Sequence, residues 1–147
     1  MLGASHIAHI KSTITAGSVY YYHESDISSP KQHNFIVINI DPSRDSVIFL
    51  LCCSSQVENT RRLRSGYPSE TLVELTPIQY SKLSKDTIVD CNDVFEHTIE
   101  EIARMFSKKK LEERSPLDLR LVEKLRQGII LSPIVDKWIK EAIKEDG

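Results

Sequence analysis

Two runs of apolar and β-branched residues, 33–40 and 46–53, flank the segment Asp41-Pro42-Ser43-Arg44-Asp45, and nothing else in the 147-residue chain limits its fold so tightly. Each run has the length of a strand. The segment between them is rich in residues that favour turns, with Pro fixing one dihedral and Asp and Ser offering side-chain oxygens to the backbone. The pair therefore reads as a hairpin whose second strand is buried. Strand signals recur at 18–23, which holds Tyr20, Tyr21 and Tyr22, and in shorter form at 71–75 and 87–90.

Helical spacing appears on either side of these strands. Ile7, Ile10 and Ile14 fall on one helical face, and Gly17 can end that helix. Thr76-Pro77-Ile78-Gln79 and Thr98-Ile99-Glu100-Glu101 both have the reciprocal capping pattern; the second opens a helix to about Phe106. Ser115-Pro116-Leu117-Asp118 starts another helix, with Leu117, Leu121, Val122 and Leu125 on one face and Gly128 at its end. Ser132-Pro133 starts the last, with Val135, Trp138, Ile139, Ala142 and Ile143 aligned. These stripes read as packing faces, the alternative being a groove for a partner helix. The expectation is an α+β protein: a strand-rich unit over 1–107 with an N-terminal helix, and a helical extension over 108–147 packed on it or on a partner. Residues 108–114 read as a short linker and 54–70 as a long polar loop, a kind of segment that often carries function.

Composition narrows the class. A 40% hydrophobic and 27% charged chain is globular in balance. No apolar run approaches the roughly 18 residues that span a bilayer. Residues 1–16 lack the basic start and unbroken apolar core of a signal peptide. Three cysteines, Cys52, Cys53 and Cys91, make an odd count without the clustered spacing of a zinc site. They read as reduced thiols of a cytoplasmic protein, with no metal and no cofactor expected. The net charge of −2 argues against a general polyanion binder, so any nucleic-acid site must be a local patch. Arg61, Arg62 and Arg64 form one cluster and Lys108, Lys109 and Lys110 another, around an acidic middle.

No Gly-rich phosphate loop, no G-x-S-x-G elbow and no H-E-x-x-H helix is present. What remains is polar residues at strand ends: His23 after the first strand, Lys31-Gln32-His33-Asn34 before the second, and Ser54-Ser55-Gln56 after the third. In a hairpin, His33 and Ser54 become cross-strand neighbours. An imidazole, an ammonium from Lys31 and a hydroxyl from Ser54 are together suited to holding a phosphodiester and moving a proton near neutral pH. The plain alternatives stand beside this: a polar residue at a strand entrance, a solvated arginine loop, and tyrosines that alternate between core and surface.

Gly17-Ser18-Val19-Tyr20, then Lys31-x-His33-x-Phe35-Ile36-Val37-Ile38, then 47–51 running into Cys53-Ser54-Ser55-Gln56, resembles the MazF/PemK family of toxin ribonucleases. The resemblance covers residues 17–106. It implies an SH3-like small antiparallel β-barrel and metal-independent cleavage of single-stranded RNA. It also implies a homodimer restrained by a small antitoxin protein in a toxin–antitoxin system, with no membrane involved. By position His33 stands where that family has a catalytic arginine and Ser54 where it has a threonine. On this reading His33, Lys31 and Ser54 are catalytic. Arg61, Arg62 and Arg64 guide the RNA, with Ser55 and Gln56 beside them, and Tyr22 or Tyr67 stacks a base. The departure from arginine to histidine leaves a second expectation, an inactive relative that binds a protein in a toxin–antitoxin or phage-defence system.

Overall fold

The computed structural model describes residues 3–144; Met1 and Leu2, within the segment read as lacking a leader, lie outside the described residues. Seven strands make one antiparallel sheet: β1 (Val19–Tyr22), β2 (His33–Val37), β3 (Ile48–Ser54), β4 (Leu72–Leu75), β5 (Thr87–Asp90), β6 (Phe95–His97) and β7 (Leu111–Arg114). Their order is β4-β5-β3-β2-β1-β7, with β6 also paired to β3. The expected hairpin is present, with Phe35 opposite Cys52, Ile36 opposite Leu51 and Val37 opposite Leu50. Its turn is held by Asn39, whose amide donates to Asp45 Oδ2 and to the Val47 carbonyl, each at 2.9 Å, and whose Oδ1 accepts from the Phe49 amide at 2.7 Å.

β3 is central because both of its edges are used. β2 takes one edge, while β6 pairs with its first half and β5 with its second. Successive side chains of a strand face opposite ways, and here each direction meets an apolar layer. Phe35, Val37, Ile48 and Leu50 join Tyr20 and Tyr22 against α1 (Ala4–Thr13) and α3 (Ile99–Ser107). Ile36, Ile38, Phe49 and Leu51 face α4 (Leu119–Leu131) and α5 (Lys137–Ala142) through Val122, Leu125, Ile129, Ile139 and Ile143. A sheet covered on both faces has near-continuous apolar strands, which is why β3 reads as one unbroken run.

The same burial explains a difference from the expected barrel. A barrel buries one face of a sheet upon itself, but here helices cover both faces. The order runs open from β4 to β7, and no ladder joins those two strands. The segment read as a linker contains β7, which pairs with β1 from Val19↔Arg114 to Tyr22↔Leu111. The C-terminal helices then pack on the sheet of the same chain, and Arg126 fixes α4 there by donating to the carbonyls of Ile38 at 2.7 Å and Asn39 at 3.1 Å.

Other expectations changed locally. The long loop contains α2 (Val57–Leu63). Thr76 and Gln79 exchange their capping hydrogen bonds, yet only turns follow, because Tyr80 and Leu83 are drawn into the core. The Thr98–Glu101 capping box forms at the start of α3 as expected. Gly128, expected to end its helix, lies inside α4, where an added Cβ would stand 2.7 Å from Cys91 Sγ and 2.8 Å from the Glu70 carbonyl oxygen. It is a site of close approach. Gly17 has φ +88° and the same tightness, 2.8 Å from the Leu117 carbonyl oxygen. Cys52, Cys53 and Cys91 are free thiols, and burial pushes Cys53 and Cys91 up to about 12. Among the described residues no helix is long and apolar enough to cross a membrane.

Candidate functional site

The entrance of β2, the exit of β3 and the start of β5 meet at one end of the sheet. Ser54 is paired with Ile88, so the connection that precedes Thr87 arrives beside Ser55. Leu83 of that connection is buried, and its flanking residues Lys82 and Lys85 stay exposed. The result is a cleft of about 340 Å³ lined by Lys31, His33, Ser55, Lys82, Lys85 and Arg114, among others. No carboxylate lines it. Among the described residues none of the three lysines has an ion-pair partner. Arg114 does: it pairs with Glu112, donates to Asn34 Oδ1 at 3.0 Å and lies 3.9 Å above the Tyr21 ring. Three uncompensated ammonium groups around one concavity make a local positive potential in a chain that is negative overall, and this attracts anions.

His33 forms part of the cleft wall. Burial holds its imidazole below the ordinary 6.5; the nearby Lys31 backbone opposes this, and the neighbouring His23 and Lys31 side chains reinforce it. The ring is therefore mainly neutral at pH 7, the form that accepts a proton. Its Nδ1 is buried and has no hydrogen-bond partner among the described residues.

A second, more apolar cleft of about 220 Å³ opens on the other side of the same wall. His33, Ser54, Cys52, Thr60 and Asp93 line it together with Ile27, Leu63, Ile88 and Phe95. Side-chain alternation accounts for the division: the β2–β3 register continued by two residues sets His33 opposite Ser54 on the Phe35–Cys52 face, whereas Cys53 and Ser55 face the lysines. His33 and Ser54 thus share a cleft, and His33 and Lys31 share a cleft, but the three do not share one. Ser54 Oγ accepts from the Gln56 amide at 3.1 Å, and no hydrogen bond joins Ser54 to His33.

The arginines assigned to RNA are mostly engaged elsewhere. Arg61 pairs with Glu74. Arg64 Nε donates to Asp90 Oδ2 at 2.9 Å, and its Nη1 donates to the Tyr67 hydroxyl at 3.2 Å. Burial would lower the Arg64 pKa, but Asp90 outweighs this and raises it. The Arg64 guanidinium lies 4.9 Å from the Tyr67 ring centre, so one face of that ring is taken. Arg62 is exposed and without an ion-pair partner among the described residues. Tyr22, offered as a base platform, is in the core at 1% exposure and stacks on Phe35, which leaves it no face for a base. Gln56 precedes α2 as its N-cap residue, without a side-chain capping bond.

Lys82, Lys85, Tyr21 and Arg114 were not among the residues singled out from sequence. Tyr21 arrives with β1, opposite Asn34 of β2, while the pairing of β5 with β3 and β4 returns residues 76–86 to the β2 entrance and the β1–β7 pairing brings Arg114 there. No local pattern announces either. Among the described residues no group of three or more His, Cys, Asp or Glu side chains is arranged to hold a metal ion. In comparisons with known proteins, no family model and no curated protein matches this chain.

Proposed function

We propose that the chain binds single-stranded RNA in the lysine cleft and cleaves it without a metal ion, as a MazF/PemK-type toxin of a toxin–antitoxin system. The observation that carries this reading is the convergence of Lys31, Lys82 and Lys85, free of carboxylates, around the weakly basic His33. Lysines of this kind contact phosphate as point charges. In the reaction, neutral His33 takes the proton of a ribose 2′-hydroxyl while that oxygen attacks the adjacent phosphorus. The bond from phosphorus to the 5′ oxygen breaks, and the leaving oxygen takes a proton from water. The lysines balance the charge that grows on the non-bridging oxygens. A MazF-like strand core, a homodimer and a small antitoxin partner belong to the same proposal. The test is a labelled single-stranded RNA incubated with excess chelator. The wild type cuts it, and His33→Ala slows cutting by about 10²-fold or more while still binding. Equal cutting by both proteins removes His33 from the mechanism.

A second reading, an inactive relative that binds a protein partner, is favoured by one observation. Ser54 faces the apolar cleft, so the lysine cleft lacks the hydroxyl assigned to the phosphate. RNA binding with no cleavage by either protein would select a non-catalytic role, and induction in a bacterial host would then leave total RNA intact.

A further inference from the structure

The apolar cleft shares the His33 wall with the lysine cleft, yet the chemistry above leaves it unused. Its lining is divided. Ile27, Leu63, Ile88 and Phe95 supply flat apolar surface, while Ser54, Thr60, Asp90 and Asp93 supply polar atoms. Asp90 is already satisfied: its Oδ2 accepts from Arg64, and its Oδ1 accepts from the Asn92 backbone and side-chain amides. The Asp93 carboxylate accepts no hydrogen bond among the described residues, and neither does the Thr60 hydroxyl make one. The Ser54 oxygen accepts from the Gln56 amide and keeps its own proton free to donate. Burial, together with the neighbouring Asp90, raises the Asp93 pKa, with Arg64 opposing and Asp26 adding to the shift. A volume of about 220 Å³ leaves room for one aromatic heterocycle.

We infer that this cleft is a nucleobase subsite that selects guanine, its Watson–Crick edge donating to the unpaired Asp93 carboxylate while its ring lies between Leu63, Ile27 and Phe95. The inference rests on the RNA reading for its ligand class. It goes beyond that reading by giving the strand a base preference and by naming the residue that sets it. Guanine is the base that presents a ring N–H and an exocyclic amino group side by side, which matches the two oxygens of one carboxylate. Uracil would set a carbonyl oxygen against that carboxylate, and an acceptor facing an acceptor is rejected. The shared His33 wall gives the geometry a direction, with a phosphate held by the lysines on one side and a base on the other.

The test uses phosphate-free nucleosides first, so that it reads the base site without the lysines. Guanosine titrated into the ¹⁵N-labelled full chain is expected to shift the amide signals of Ile27, Thr60 and Ile88 saturably, with uridine and cytidine leaving them in place. Asp93→Asn abolishes the guanosine shifts, and Thr60→Phe, which fills the cleft, does the same. Absent guanosine shifts, or equal shifts with uridine, overturn the assignment whatever the lysine cleft does. In the RNA arm, an oligonucleotide carrying one guanine binds about tenfold tighter than all-uridine. Asp93→Asn erases the difference, whereas Lys82→Ala with Lys85→Ala weakens both oligonucleotides equally. Saturable guanosine binding without RNA binding would keep the base site and overturn the RNA reading instead.

Discussion

Two sets of cations on this molecule differ in what stands opposite them. The arginines of α2 and its C-terminal cap are close together in sequence, and two of the three face carboxylates: Arg61 meets Glu74 and Arg64 meets Asp90. The lysines at positions 31, 82 and 85 are scattered through the chain, gather at one cleft and meet no carboxylate there. Close pairing cancels most of the field a cation exerts beyond its partner, while an unpaired ammonium acts over a screening length of about 8 Å at physiological salt. A local run of basic residues is thus a poorer guide to an anion site than the absence of acids around cations brought together by the fold.

The paired kind has a buried extreme, and it gives the largest expected effect. His97 Nε2 lies 2.6 Å from Glu24 Oε1, its Nδ1 lies 3.0 Å from Glu101 Oε2, and Glu24 is 2% exposed. Burial by itself would lower the His97 pKa, but the hydrogen bonds to Glu101 and Glu24 outweigh it and raise the pKa above 6.5. His97→Ala leaves the buried carboxylate without its cation and is expected to cost about 3–5 kcal/mol in denaturant unfolding. A folded-state pKa above the unfolded value means that the histidine's contribution is complete below pH 6.5 and is lost as pH rises through the raised value. Glu101, held below 4.5 by His97, contributes above pH 4.5 and loses this as pH falls through its lowered value. The gap between wild type and variant should therefore be widest between pH 4.5 and 6.5 and narrow on the alkaline side. A gap that widens toward pH 9 would contradict the pairing.

Next comes the unpaired set. Lys31→Ala, Lys82→Ala and Lys85→Ala combined are expected to weaken single-stranded RNA binding by about 10²–10³-fold at low salt. The slope of log K against log salt should become shallower by about 2, or 0.7 for each lysine. Stability should move by no more than about 0.5 kcal/mol, because exposed lysines without partners stabilise little. Arg64→Ala should do the reverse: a loss of about 2 kcal/mol from a partly buried charged hydrogen bond, with affinity for all-uridine RNA unchanged. An Arg64 variant that weakens RNA more than it weakens the fold would break the comparison between the two sets.

What the sequence made legible follows the same division between local and non-local causes. The β2–β3 hairpin, the Thr98 capping box and the inward face of α4 were readable because each is set by residues within a few positions of one another. The last helix starts at Lys137 and not at Ser132-Pro133, and of its expected stripe Ile139 and Ile143 are buried while Trp138 and Ala142 are exposed. β6 and β7 were not. Three residues at Phe95–His97 and four at Leu111–Arg114 have too little pattern to identify a strand, and both exist because β3 and β1 offer free edges. The two helices of one covering layer, α1 and α3, are separated by most of the chain. The candidate site divides likewise: Lys31 and His33 were found from the strand entrance, but Lys82 and Lys85 depend on a connection whose capping signal at Thr76 suggested a helix.

The smallest effects test the comparison inside α2 itself. Arg61 is paired with Glu74 across an exposed surface, and exposed pairs of this kind contribute little. Arg61→Ala is therefore expected to leave both the melting temperature and RNA affinity where they were. Arg62, which differs from Arg61 and Arg64 in lacking a carboxylate partner, is exposed and unpaired among the described residues. Arg62→Ala should leave stability alone and weaken RNA binding by about twofold at low salt, an effect that vanishes near 0.5 M salt as screening shortens. The two substitutions delete the same side chain from adjacent positions on one helix, so helix propensity and net charge change alike. What separates them is the ion pair with Glu74, which Arg61 makes and Arg62 does not. If Arg61→Ala weakened RNA binding as much as Arg62→Ala, carboxylate pairing would not be what decides which cations reach the RNA.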